Sequence, residues 1–248
     1  PGVTATNLAF VSDTDTIGAP ADFAVRKSVG EFSRIWARRQ RKSIKRNFTH
    51  VLIEAELPIL GSLYEGDLIT EIQDLQSAGL KVGLVSHGSD TRLPSLHAEI
   101  EKDSPFHKRL DGLTEELEQT TGKKLQMMDD LRLPEFVPTP ELLHFRPDAQ
   151  WLPLLTSLDP WVDAPPTTLE NRKPTVLHVP GGQPDLKGTD SISPAMHRLA
   201  DEGLIHYVEA SGLSHTEMQE LICEADVVVN QVGMGLYATV GVEAMLAG

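Results

Sequence analysis

Apolar positions along the chain fall into two kinds of stretch: short continuous runs and longer segments where they recur at helical intervals. Val29, Phe32, Ile35 and Trp36 recur at helical spacing and predict a helix, and Val51-Leu52-Ile53 predicts a strand after it. Leu68, Ile69, Ile72 and Leu75 then mark one face of a second helix, with Gly79 as its stop. The run Val82-Gly83-Leu84-Val85 predicts a strand that leads straight into Ser86-His87-Gly88-Ser89-Asp90. A helical stretch around Leu110 to Glu118 precedes short strands near Phe136-Val137 and Gln150-Trp151-Leu152, and a further strand, Leu8 to Val11, stands near the start.

The pattern stops at Asp159-Pro160-Trp161-Val162-Asp163-Ala164-Pro165-Pro166, which has no periodicity and three prolines and reads as a linker. It restarts with the strand Thr175 to Val179, a loop holding Gly181, Gly182, Lys187 and Gly188, and a helix from Ser193 to Glu202 stopped by Gly203. The strand Ile205 to Val208 follows. Ser214-His215-Thr216-Glu217 has a hydroxyl and a carboxylate three residues apart, the signature of a capping box at a new helix. The strand Asp226 to Asn230, a Gly-rich loop and a helix from near Thr239 complete the chain. Strand–loop–helix alternation predicts parallel sheets covered by helices. The expected division is an N-terminal domain over 1–158, a linker over 159–172 and a C-terminal domain over 173–248. With about three strands where such domains usually have five or six, the second domain is expected to be partial, and the first to lack its opening elements.

Charge narrows the partners. The 248 residues carry a formal net charge of −14, with 36 acidic against 22 basic side chains. Such a chain repels nucleic acid, which needs its phosphates neutralised. Arg38-Arg39-Gln40-Arg41-Lys42-Ser43-Ile44-Lys45-Arg46 is the basic exception, either a solvated helix face or a docking patch for an anionic acceptor or membrane surface. Cys223 is the one cysteine, on an apolar helical face with Met218 and Leu221, so it reads as core. A chain without an internal disulfide fits a cytoplasmic location, peripheral to the membrane if the basic segment binds lipid.

Candidate chemistry sits just after strands, at the sheet edge where open α/β folds bind ligands. His87 and Asp90 follow the strand ending at Val85, and Arg92 lies in the same loop. Lys187, with Gly182 and Gly188 allowing backbone amides close to a ligand, suits a departing diphosphate. On its own Lys187 reads equally as a surface lysine. Glu243 reads either as a ligand-binding carboxylate or as a charge on an exposed helix turn. His97, His107, His144, His197, His206 and His215 are scattered without metal-ligand spacing and read as surface or packing residues. No Gly-x-Ser-x-Gly elbow, phosphate-binding Gly-x-x-x-x-Gly-Lys-Ser/Thr loop or His-Glu-x-x-His helix occurs.

Four segments together resemble the retaining GT-B glycosyltransferases of the family-four (group 1) superfamily: Ser86 to Arg92, His178-Val179-Pro180 with Lys187-Gly188-Thr189-Asp190, Ala225 to Gln231, and Gly235 to Met245. In order and spacing they cover roughly two thirds of the chain. The resemblance implies two Rossmann-like domains whose sheets face a cleft, acceptor-binding first and donor-binding second. It implies hexosyl transfer with retention from a UDP- or GDP-linked sugar to a glycan, lipid-linked or protein acceptor, without a metal or other cofactor. His87 would contact the transferred sugar or acceptor, oriented by Asp90. Lys187 would hold the diphosphate, with Gly182, Gly188, Gln231, Gly235 and Tyr237 lining the donor site, Glu243 the ribose, and Arg92 a second cation. Two departures stand out: Pro180-Gly181 where relatives carry Arg, and Gly235 where they carry the first of two glutamates. Those departures favour a non-catalytic accessory subunit as one alternative. A GT-B-fold nucleotide-sugar epimerase is the other.

Overall fold

The computed structural model describes residues 2–12, 21–108, 112–154, 156, 161 and 173–248. In chain order the elements are β1 (Leu8–Val11), β2 (Phe23–Arg26), α1 (Lys27–Phe32), α2 (Arg34–Asn47), β3 (His50–Glu54), α3 (Leu68–Ser77) and β4 (Lys81–Val85). They continue with α4 (Pro94–Ile100), α5 (Leu113–Leu131), β5 (Glu135–Val137), β6 (Gln150–Trp151), β7 (Thr175–His178), α6 (Pro184–Lys187) and α7 (Thr189–Asp201). The last are β8 (His206–Glu209), α8 (His215–Glu224), β9 (Val227–Val229) and α9 (Thr239–Ala247). The protein is α/β with parallel sheets: a four-stranded sheet in the order β3-β4-β5-β6, a three-stranded sheet in the order β8-β7-β9, and the pair β1-β2.

Two apolar clusters hold these sheets. Ile53, Val82 and Leu84 from β3 and β4 pack with Leu68, Ile72 and Leu75 of α3 and Met128 of α5. Leu177 of β7 packs with Met218, Ile222 and Ala225 and with Trp161. The expected linker lies outside the described residues except for that tryptophan, which is only 4% exposed. Trp161 thus belongs to the second core. Its large apolar ring drives it inward. Cys223 is half-buried against the same cluster, as its helical face suggests.

Other elements depart from the sequence pattern. The expected helix near 110–118 starts at Leu113 and runs on to Leu131, because Leu125, Met128 and Leu131 continue its apolar face past Gly122. Helix α4 is too short to show a period, and β2 pairs with β1 through residues that carry no strong strand signal.

The basic segment 38–46 lies on α2 and divides in two. Arg41 donates to Asp74 of α3 at 2.7 Å and to the Tyr64 hydroxyl at 3.1 Å, and Lys45 meets the same carboxylate at 2.7 Å. Arg34, Arg38, Lys42 and Arg46, four residues apart, form an exposed stripe. Among the described residues no helix is long and apolar enough to cross a membrane.

Buried Glu71 on α3 accepts from the Ile59 and Leu60 amides at 2.9 and 2.8 Å, fixing the turn after β3. The capping box forms at α8: the Ser214 hydroxyl accepts from the Glu217 amide and the Glu217 carboxylate accepts from the Ser214 amide. Ser214→Ala should therefore lower unfolding free energy by about 1 kcal/mol, with Ser214→Thr retaining most of it. Urea titration measures both, and an unchanged midpoint for Ser214→Ala would show that the box adds nothing.

Candidate functional site at the sheet edges

In the second sheet β7 lies between β8 and β9, so the loops after β7 and β9 leave its carboxyl edge in opposite directions. Such a switch point opens a crevice where α/β folds bind ligands. His178 ends β7 at this edge. This fully buried ring meets the Val229 carbonyl through Nδ1 at 2.8 Å and the Thr189 hydroxyl through Nε2 at 2.9 Å, joining β7, β9 and the start of α7. Above it Lys187 Nζ donates to Gln231 Oε1 at 2.6 Å, and Gln231 Nε2 donates to the Leu236 carbonyl at 3.0 Å. The Val232 amide also donates to the Lys187 carbonyl at 3.1 Å. Gly188, at φ +73, allows this closeness, since a Cβ there would stand 2.8 Å from the Val232 carbonyl oxygen. Lys187, Gly188, Gln231, Gly235 and Tyr237 thus share one loop cluster, whereas Gly182 faces open space.

Glu243 is 2% exposed, so it is no charge on an exposed helix turn. Its Oε1 lies 3.5 Å from His215 Nε2, and its buried Oε2 takes no hydrogen bond. Burial raises its pKa, with His215 pulling the other way. His215, read from sequence as a surface or packing residue, is therefore the carboxylate's partner.

The first sheet places a second cluster at the carboxyl ends of β3 and β4. Asp90 accepts from the backbone amides of His87 and Gly88, each at 2.8 Å, so it braces the loop backbone. The His87 ring instead meets Glu54, Nε2 to Oε2 at 3.5 Å, and this carboxylate chiefly raises the His87 pKa. Arg92 turns inward to Glu141 at 2.7 Å and is 6% exposed. Its Nε donates no hydrogen bond among the described residues. Its charge still lowers the Lys187 pKa, adding to the larger effect of burial there.

Between these groups lies a carboxylate not singled out by the sequence pattern. Glu56 follows β3 in a left-handed conformation, φ 53, as does Ala55. Two consecutive non-glycine residues in that region store local strain, a feature of functional sites. Glu56 is 5% exposed; Oε1 accepts from the Ser86 hydroxyl at 3.1 Å, and Oε2 lies 3.5 Å from Lys124 Nζ. The edge rule that selected the residues after β4 also covers Glu54-Ala55-Glu56 after β3, and that signal was present in the sequence.

The two halves meet across the Gly-rich loop. His97, buried and bonded through Nδ1 to the Ser104 hydroxyl at 2.7 Å, approaches the Met234 carbonyl with Nε2 at 3.4 Å. Lys108 pairs with Asp190. A cavity of about 350 Å³ lies elsewhere, at the amino ends of β5 and β6, where Arg146 is already paired with Glu135 and Asp129. Among the described residues no three His, Cys, Asp or Glu side chains are grouped to hold a metal ion. Neither protein-family models nor curated proteins match this chain.

Burial, and then Asp90, push the Glu56 carboxyl up to about 7, with Lys124 and Ser86 opposing. A raised folded pKa keeps a proton that the unfolded chain has lost. The resulting stability is full below the unfolded value near ~4.3 and is lost as pH rises through about 7. Unfolding free energy should therefore fall between pH 5 and 8, and Glu56→Gln should remove about 1 kcal/mol or more of that fall. Urea titrations at the two pH values check this, and parallel behaviour of the variant and the parent would exclude Glu56 as the titrating group.

Proposed function

We propose that this chain transfers a hexosyl group from a nucleoside-diphosphate sugar to an acceptor hydroxyl, within a GT-B arrangement of two Rossmann-like domains. The carrying observation is the ammonium of Lys187 at the switch point of the second sheet, held by Gln231 next to the close-packed turn at Gly188. A diphosphate leaving group gains negative charge as the glycosidic bond breaks, and a fixed cation stabilises that charge more in the transition state than in the ground state. The amino end of α7 follows Gly188 and adds its dipole.

In this reading Glu243 takes the ribose, using the oxygen that lacks a hydrogen bond. His87 and the loop braced by Asp90 face the acceptor side, with Arg92 as a more distant positive charge. Retention of anomeric configuration follows the family resemblance. The acceptor hydroxyl attacks on the face that the diphosphate leaves, forming the new C–O bond as the old one breaks, and its proton passes to the departing phosphate. The donor stays intact until the acceptor is bound and water is excluded. Mass spectrometry after incubation with UDP-glucose or GDP-mannose, with and without acceptor glycans, tests the reaction. Epimerised donor without acceptor, resolved by NMR because epimers share one mass, would instead identify an epimerase, and donor that stays unchanged with every acceptor would favour the accessory subunit.

Two substitutions examine the site. Lys187→Ala should weaken UDP or GDP binding by about 1.5–3 kcal/mol, the size of a hydrogen bond to a charged group. Calorimetry that returns unchanged affinity would remove Lys187 from the site. Glu243→Gln should weaken a ribonucleotide by about 1–2 kcal/mol and its 2′-deoxy analogue much less. Equal losses for the two nucleotides would point to a general loss of stability.

A further inference from the structure

Position 235 holds glycine where the resembling enzymes carry a carboxylate, yet the structure brings a carboxylate to that place from another segment. A Cβ built on Gly235 would stand 3.0 Å from Glu101 Oε1 and 3.3 Å from its Cδ. Glu101 belongs to the first half, where it ends α4. Its backbone is anchored: its amide donates to the His97 carbonyl, and its carbonyl accepts from the Ser104 amide at 3.1 Å and meets His107 Nε2 at 3.2 Å. Its carboxylate, in contrast, takes no hydrogen bond or ion pair among the described residues, although the side chain is half-buried. A carboxylate has about four acceptor positions, so a half-buried one without a donor has capacity for a ligand's hydroxyls.

The neighbouring contacts specify which ligand. Lys187 bonds to Gln231, and Gln231 bonds to the carbonyl of Leu236, the residue after Gly235. One loop therefore connects a cation suited to phosphate with an unpaired carboxylate suited to hydroxyls. A phosphate would be repelled by Glu101, whereas a sugar attached to that phosphate presents the donors that the carboxylate lacks. Glycine at 235 is what admits it. At φ +69, and with Glu101 at 3.0 Å, a side chain there would be strained and would displace the carboxylate.

We propose that Glu101 supplies, from the first half of the chain, the carboxylate that position 235 lacks, and that it accepts a hydrogen bond from a hydroxyl of the donor's sugar. The sugar site is then shared between the halves and complete only when α4 and the Gly-rich loop are in contact. This inference rests on the donor reading above.

Calorimetry on the full chain with UDP, UDP-glucose, GDP and GDP-mannose separates the two. The parent should bind one sugar nucleotide more tightly than its diphosphate. Glu101→Ala should abolish that gain, about tenfold, and leave diphosphate affinity unchanged. Glu101→Gln, which keeps one acceptor oxygen, should retain part of it. Gly235→Asp in the Glu101→Ala background returns a carboxylate to within reach in a residue that tolerates left-handed backbone, and should recover much of the gain. A sugar gain that survives Glu101→Ala, or an equal loss for diphosphate and sugar nucleotide, overturns the inference while leaving the donor reading standing. A parent that binds none of the four nucleotides overturns both.

Discussion

Close backbone approach at the Gly-rich loop is the constraint on which the site depends. Residues 231–237 run between the edge of the second sheet and the segment after α4, with no room for side-chain carbon at two points. A Cβ at Gly233 would stand 2.7 Å from the Asp103 carbonyl oxygen, and one at Gly188 would meet Val232. Glycine at these positions lets the Lys187 carbonyl receive the Val232 amide and lets Gln231 link Lys187 to Leu236. Larger residues would push the loop outward and separate Lys187 from Gln231. Packing at this density does not deform gradually, so the loop is either seated or displaced.

Charge is distributed so that most inward-facing cations are already paired. Arg41 and Lys45 share Asp74, Arg92 faces Glu141, and Arg146 bridges Glu135 and Asp129. The carboxylates are less fully matched: Glu56 and Glu243 each keep a buried oxygen without a hydrogen bond. Burying such groups costs free energy unless a proton or a donor arrives. In a chain of net charge −14, Lys187 is held by a neutral glutamine, while Glu56 and Glu243 each face one basic group, Lys124 and His215, at 3.5 Å. The exposed stripe Arg34, Arg38, Lys42 and Arg46 stands apart from this site, on the outer face of α2.

The local elements were largely legible. β4 and β7 carry near-continuous buried runs because inner parallel strands covered by helices bury both faces, whereas the edge strands β3, β8 and β9 keep exposed positions such as Leu52 and Val227. Gly79 and Gly203 both end helices with positive φ, and Ser214 and Glu217 form the box that their spacing announces. Helix α4 was not legible, since seven residues complete only about two turns and show no period. The linker pattern concealed Trp161, whose burial depends on a cavity built by α8 and β7, distant in sequence.

The site divides along the same line. Lys187 could be picked out as a candidate because it lies in the loop after a strand, a local property of the chain, whereas Gln231 and Glu243 were candidates through the family resemblance, Glu243 lying inside α9 and not in its first turn. Their partners are set by sequence separations of many residues. Gln231 lies 44 residues from the lysine it holds. Glu54 takes the His87 ring while Asp90, the nearer candidate, takes the backbone, because amides two and three residues away are the closer donors. Glu101 comes to Gly235 from the other half of the molecule. Hydrophobic period and turn chemistry act over a few residues and are written in order along the chain. Which carboxylate meets which cation, and which is left without a partner, depends on how two separately packed cores come together, and pattern alone carries no record of that distance.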